Sequence, residues 1–471
     1  MTNTFDRVFR NFGFLLFSSL SSRVILAFIT VYLARRLGPE AFGIIGFSQS
    51  FLVYFTSLTD LGLRTISMRD VSVSDNQTAF INNIFTTRTL LTVLSISLYM
   101  ATLYFVPFRA DFKTVMALYG LVLLFTGTML DWILLATERT IHQAVAEFTR
   151  GVAYAGLVIL FVSGESDVRA VPVAFALGTL AGTLYLAGFL FRKGQVPRFQ
   201  LNTQLITSSL KKAIPLGASQ LMISFYYNLD HVMLGLMRSS DAVGFYSAAY
   251  KPINIAVLCL NLLLSALIPY LNRLRANHIE VYMKFIAVCT RISTVVVMAA
   301  GIGITLFAEP IVTILYGVEY RESVLLLQVL IWSFVLIGIR FLAENYIVLQ
   351  AEHGVYLKQV SLYFCVNLFL NISLIPRFGA VGAGIATVVS DIVFGVLIVR
   401  RIPLPFQHAL RPHLLFGIIL MLLLFGLKIA GILSGSLPLL AIAFCFVLLS
   451  WSVFNSVRKE LRTILPILRT A

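Results

Sequence analysis

Charge is what this chain has least of. Of its 471 residues only 12% are Asp, Glu, Lys or Arg, about half the share of an ordinary soluble protein, which argues against a water-soluble globule. Acidic residues are the scarcer kind: 21 stand against 36 basic ones, for a formal net charge of +15. The basic residues are scattered through short loops and are not gathered into a nucleic-acid-binding module, so nucleic acid is not an expected partner. Cysteine is nearly absent. Cys259, Cys289, Cys365 and Cys445 fall inside apolar stretches with no Cys-x-x-Cys or Cys/His grouping, which leaves neither a disulfide framework nor a zinc site supported. No run of alternating ten-residue strands is present, which excludes a transmembrane barrel. No Ser/His/Asp set, Asp-x-Asp pair or metal cluster stands out. Neither an enzyme nor a cofactor is expected.

What the chain does have is apolar length. It is 59% hydrophobic with a mean hydropathy of +0.90. Runs of 18 or more apolar residues recur, each long enough to cross about 30 Å of hydrocarbon as a helix. Breaks at Gly, Pro and charge give fourteen spans, at 11–33, 41–62, 80–106, 113–136, 145–163, 170–191 and 209–234, then 243–270, 283–308, 323–349, 355–375, 381–399, 409–430 and 437–455. The expected fold is an all-α polytopic membrane protein. The first apolar stretch runs on to "VYLARR" without a small-residue cleavage site and reads as a retained helix. With the N-terminus inside, the tails and even-numbered loops carry 22 of the Lys and Arg residues, and the opposite loops carry 9. That bias places both termini in the cytoplasm.

The chain also repeats itself. "GPEAFGIIGF" matches "SSDAVGFYSA", so that Glu40-Ala41-Phe42-Gly43 meets Asp241-Ala242-Val243-Gly244 at an offset of 201. Thr87-Arg88 matches Thr290-Arg291, "WILLATER" (132–139) matches "YIVLQAEH" (346–353), and "RAVPVAFALG" (169–178) matches "GAVGAGIATV" (379–388). Ordered matches at nearly constant offset are the mark of an internal repeat. The expected organisation is an N-terminal lobe over 1–200, a second lobe over 201–403, and a helix pair with a tail over 404–471. Each lobe has six helices, an even number, so the two should be related by an axis along the membrane normal. Two like bundles around a cleft can open to either side in turn, which is the architecture of a carrier.

Two stretches carry a specific resemblance. "LARRLGPEAFGIIGFSQSFLVYFTSLTDLGL" resembles the first helical hairpin of the bacterial polysaccharide exporters, the O-antigen flippase family. "LKKAIPLGASQLMISFYYNLDHVMLGLMRSSDAVGFYSAAYK" is similar to that family's seventh and eighth helices, and "LYGVEYRESVLLLQVL" to its entry into span ten. The family belongs to the multidrug/oligosaccharidyl-lipid/polysaccharide exporter superfamily. The resemblance implies a two-lobed fold of twelve or fourteen helices that flips lipid-linked oligosaccharides across the inner membrane. The implied partners are an undecaprenyl-pyrophosphate-linked oligosaccharide, membrane lipids and other polysaccharide assembly proteins.

Charges inside spans are costly and usually serve a wet cavity or a partner. Arg23, Arg88, Lys251, Arg291 and Arg340 lie within spans, and a cationic cleft for an anionic pyrophosphate head is the functional reading. The plain alternatives are snorkelling for Arg88 and Arg291 and an i,i+4 pair with Glu344 for Arg340. Asp391 lies midway along span twelve and is a candidate for ion coupling together with Glu344, or else the partner of a buried cation. Asp60 and Asp131 should be solvated or paired with Arg64 or Arg139. Phe225, Tyr226 and Tyr227 could stack on sugar faces, or belong to an interfacial belt. Rival functions are a multidrug exporter, a peptidoglycan-precursor (lipid II) flippase and, in another class, a membrane-embedded polymerase or ligase. A drug exporter for organic cations should favour acidic cleft residues, whereas the excess here is basic.

Overall fold

The computed structural model describes residues 2–70, 77–106, 110–136, 140–349 and 353–403, with single positions at 407, 411, 415, 419 and 458. Apart from those positions, spans thirteen and fourteen lie outside the described residues, as do Arg139 and Cys445. The described chain is helical, with no strand among the described residues. Nine helices there are long and apolar enough to cross a membrane. Two of them, Arg23–Asp60 with 38 residues and Leu357–Val399 with 43, are each about twice the length that one crossing needs.

Both double-length helices are broken where the sequence predicts a turn. In α1 (Thr2–Asp60), Gly38 takes φ 69° and ψ 174°, a conformation that only glycine adopts without strain. Pro39 follows, and its fixed φ and missing N–H suit the first position of a new helix. In α13 (His353–Val399) the break is Gly379, at φ 58° and ψ −136°. Spans one and two, and eleven and twelve, are therefore helix pairs joined with almost no loop. Span four differs from expectation. Instead of one helix over 113–136, the chain forms α4 (Ala110–Gly127) and α5 (Asp131–Ala136), interrupted at 128–130. The close packing of Gly127 on Thr92 of α3 (Gln77–Phe105) leaves no room for a Cβ there, which would stand 1.8 Å from Thr92 Oγ1. The interruption makes Asp131 the first residue of a helix, where the unsatisfied N–H groups favour a carboxylate.

Large apolar side chains remain exposed along these helices, among them Phe28, Val93, Leu160 and Ile314, all at least 60% exposed. A surface of that kind is tolerated by lipid and not by water. The protein is a multi-pass membrane protein.

The chain divides into two compact units, Met1–Ser247 and Ala248–Ala471. In the first, α1 packs on α3, α4, α6 (Thr140–Phe161) and α8 (Thr203–Met237). His142 of α6 stacks on Phe189 at 3.7 Å and bonds Tyr185 at 2.9 Å, fixing α6 against α7 (Ala170–Arg192). The stretch between α7 and α8 is strapped along α3. Asn82 Oδ1 accepts from the Arg198 N–H at 2.8 Å, and Thr86 Oγ1 accepts from the Gln200 N–H at 2.9 Å. Asn202 then caps α8, accepting from the Leu205 N–H at 3.1 Å, a standard way to satisfy a helix's orphan donors.

The repeated glycines meet each other. A Cβ on Gly43 would stand 1.9 Å from Ser240 O, and one on Gly244 would stand 2.0 Å from Pro39 O. Ser240 and Pro39 are related by the same offset of 201 as the two glycines, so the contact exchanges like for like, as across a local two-fold axis. This is the structural use of the repeated stretch.

In the second unit α12 (Ser323–Leu349) packs between α10 (Ile279–Leu306) and α13. It is the most enclosed of the candidate spans, with 72% of its apolar window buried.

Candidate functional site

The first unit contains a polar cavity of about 520 Å³ lined by residues of α1, α3, α4, α5, α6 and α8 together with α2 (Leu63–Asp70). Its walls carry three arginines, Arg64, Arg88 and Arg150, and three carboxylates, Asp60, Asp131 and Glu147. Gln143 and Gln220 add amides, and Thr56, Ser57, Thr126 and Ser224 add hydroxyls. The charge of the walls is balanced. An apolar cluster that includes Ile84, Trp132, Ile133 and Leu186 adjoins it through Met129, so the polar groups are backed by packed core.

Several wall residues are placed by local features already described. The α4–α5 interruption presents Asp131, which pairs with Arg64 at 3.3 Å. The strap along α3 and the Asn202 cap set the start of α8, which brings Gln220 and Ser224 to the cavity. Ser224 is further fixed by a 2.9 Å hydrogen bond to Ser57 of α1. On α6, Gln143, Glu147 and Arg150 lie at i, i+4 and i+7, one helical face.

Arg88 is the deepest of the three cations, 6% exposed. Among the described residues its ion pair is with Asp60 at 3.6 Å, longer than a hydrogen bond. Its Nε and Nη1 are buried and meet no acceptor among the described residues. A guanidinium so placed retains much of its desolvation cost. Its repeat mate Arg291 is half-buried on α10 of the second unit. The threonines beside them behave alike: Thr87 and Thr290 are buried, and each donates to the carbonyl four residues earlier.

A second polar cluster lies inside the second unit. Arg340 of α12 pairs with Glu344 one turn on and reaches Asp391 of α13 at 2.9 Å. Its guanidinium also sits 4.9 Å over the Phe394 ring. Asp391 is fully buried and accepts hydrogen bonds from Ser333 and from Tyr363, the latter at 3.1 Å.

Of the residues singled out in the sequence, the structure thus brings Arg340, Glu344 and Asp391 together and puts Arg88 in the cavity. Asp131 pairs with Arg64, one of its two expected partners, whereas Asp60 pairs with Arg88. Arg23 is exposed on α1 and does not line the cavity. Lys251 is half-buried on α9 (Ser240–Asn277). Phe225 stacks on Tyr54 with ring centroids 4.3 Å apart, so one of its faces is covered by the protein. Tyr226 and Tyr227 contact each other at 4.6 Å, and Tyr227 is exposed. The sequence reading missed Gln143, Glu147 and Arg150. Their spacing of four and three in "HQAVAEFTRG" was the available signal, but the intramembrane cations named from the sequence do not include Arg150, although it lies inside the span at 145–163.

The fold and these charges define a multi-pass helical membrane protein with a polar cavity in its first unit. The family described as "Polysaccharide biosynthesis protein" matches residues 8–275, more than half of the chain, and the chain belongs to that family. Among curated relatives, "Probable low-salt glycan biosynthesis flippase Agl15" of Haloferax volcanii is 22% identical over 373 residues, covering 78% of this chain and 77% of the relative. "Probable flippase AglR" of the same organism is 24% identical over 411 residues, covering 80% and 79%. Among solved structures, "Lipid II flippase MurJ, inward closed conformation" superposes with a TM-score of 0.71 at 11% identity, covering 95% of this chain and 99% of that one. At that identity the likeness is one of fold.

Proposed function

We propose that the protein is a flippase that carries a lipid-linked oligosaccharide from the cytoplasmic to the outer leaflet by alternating access, and that it is not an enzyme. The observation that carries this reading is the polar cavity around Arg88, within an apolar bundle of a chain from the polysaccharide biosynthesis family. Intramembrane charge of this kind marks a substrate pathway by default. The substrate is an undecaprenyl-pyrophosphate-linked repeat unit such as an O-antigen precursor. The membrane is the bacterial inner membrane, with both termini in the cytoplasm, and other polysaccharide assembly proteins act on either side of the step.

Arg23, Lys251 and Arg291 are the cations assigned to the anionic pyrophosphate, because the anionic head of such a lipid needs guanidinium or ammonium donors wherever it crosses hydrocarbon. Arg340 is assigned to the internal pair with Asp391 and Glu344. Asp391 is the remaining candidate for ion coupling. The test is complementation of flippase-deficient strains carrying different repeat units, with lipid-linked intermediates measured. Restored polysaccharide and cleared intermediates are expected. Continued accumulation of the intermediates in every strain would count against the reading.

A further inference from the structure

The cavity of the first unit has a chemistry that a pyrophosphate does not explain. Its three arginines are matched by three carboxylates. A diphosphate entering there would face Asp60, Asp131 and Glu147 as well as the cations, and like charges at close range oppose binding. A sugar faces no such conflict. Every hydroxyl both donates and accepts, so one ring can satisfy a guanidinium and a carboxylate together.

Arg88 has the donors to offer. Its Nε and Nη1 are buried without an acceptor among the described residues, and its link to Asp60 is loose at 3.6 Å. Asp60 Oδ1 likewise makes no hydrogen bond among the described residues. Opposite charges standing side by side with unmet hydrogen-bonding capacity form a donor and acceptor pair at one place. Gln143, Glu147 and Gln220 extend the pattern across the walls. The volume of about 520 Å³ falls within the range of small-molecule sites.

We propose that this cavity is a saccharide subsite. It takes an uncharged, hydroxyl-rich sugar of the glycan head, with Arg88 donating to sugar oxygens while Asp60 and Glu147 accept from sugar hydroxyls. The assignment rests on the flippase reading and adds the part of the substrate that the cavity reads.

The test uses the full chain in lipid nanodiscs and three probes: undecaprenyl pyrophosphate alone, the same lipid bearing N-acetylglucosamine, and the same lipid bearing a hexuronic acid. Binding is measured by native mass spectrometry. The wild type is expected to bind the N-acetylglucosamine lipid about tenfold more tightly than the bare lipid, and the uronic acid lipid no more tightly than the neutral one. Arg88→Gln is expected to erase the preference for the sugar while leaving affinity for the bare lipid unchanged. Glu147→Gln is expected to do the same and serves if the arginine variant fails to fold. Equal loss of the bare and sugar-bearing lipids would place the pyrophosphate in the cavity and overturn the proposal. A strong preference for the uronic acid overturns it as well, as does a wild type indifferent to the sugar, whose cavity would be merely hydrated. Transport of the sugar-bearing lipid is scored separately in proteoliposomes. Sugar-dependent binding without transport would refute the flippase reading and leave the subsite standing.

Discussion

Replacing Asp391 by Asn removes one negative charge from the interior of the second unit while keeping the shape of the side chain. In the native arrangement Arg340 is 4% exposed and lies 2.9 Å from a carboxylate that is 0% exposed. Breaking a buried ion pair by deleting one partner costs about 3–5 kcal/mol, because the other charge is left uncompensated. Glu344 still neutralises Arg340 from the neighbouring turn, and Asn can keep hydrogen bonds to Ser333 and Tyr363. The expected loss is therefore at the low end, about 3 kcal/mol, which for a unit of this size corresponds to a drop in melting temperature of about 6–12 °C. The assay is thermal unfolding of purified protein followed by size-exclusion fluorescence, with membrane yield as a second reading. Adding Arg340→Met to Asp391→Asn takes away the cation that Glu344 pairs with and should lower the melting temperature further, because a carboxylate is then left uncompensated. A variant Asp391→Asn as stable as wild type would refute the structural account of this residue. If that stable variant were also inert in gradient-driven transport, the coupling role would stand in its place.

Other changes follow from particular contacts. Gly43→Ala or Gly244→Ala puts a Cβ within about 2 Å of a carbonyl oxygen, so either change must spread α1 from the start of α9; each is expected to lower membrane yield or export by at least tenfold, and normal export by both would show that the contact is dispensable. Asn82→Ala with Thr86→Ala frees the strap between α7 and α8, and trypsin should then cleave at Arg198 several times faster in native membranes. Reporter fusions at Gly164 and Arg377 should read as extracytoplasmic, and fusions at Gln195 and Pro405 as cytoplasmic; a cytoplasmic signal at Gly164 would reverse the orientation. Arg23→Ala should abolish export with insertion intact while Arg23→Lys keeps part of it, and normal export by the alanine variant would remove Arg23 from the anion pathway.

Much of this fold could be read from the sequence because lipid forces a simple code. Apolar length fixed the helices, and Gly38-Pro39 and Gly379 announced the two breaks by backbone freedom alone. The pairing of Arg340 with Glu344 followed from helical spacing. Asp391 was harder: its partners Ser333, Arg340 and Tyr363 come from two other spans, and a single sequence does not say which helices pack together. The cavity was the least legible part. Its residues are drawn from seven helices, and Asp131 faces it only because span four is interrupted at 128–130, which hydropathy does not reveal. Arg150 misled for a related reason. A basic residue near a span's end looks like a topology signal, and only the turn-by-turn register with Gln143 and Glu147 shows that it faces inward. The repeat illustrates the opposite case. The matched glycines at 43 and 244 were visible as a pattern, yet their physical role, a reciprocal backbone contact, required coordinates.

The most direct test of the central claim is a flipping measurement in proteoliposomes containing the purified chain. Undecaprenyl-pyrophosphate-linked N-acetylglucosamine is placed in both leaflets, and an impermeant lectin reports the sugar accessible outside. With active protein the lectin should reach nearly all of the labelled lipid, against about half in protein-free vesicles, and the Arg88→Gln variant should fall back toward the protein-free value. Accessibility that stays at one half with the wild-type chain, under an imposed ion gradient as well as without one, would contradict the account.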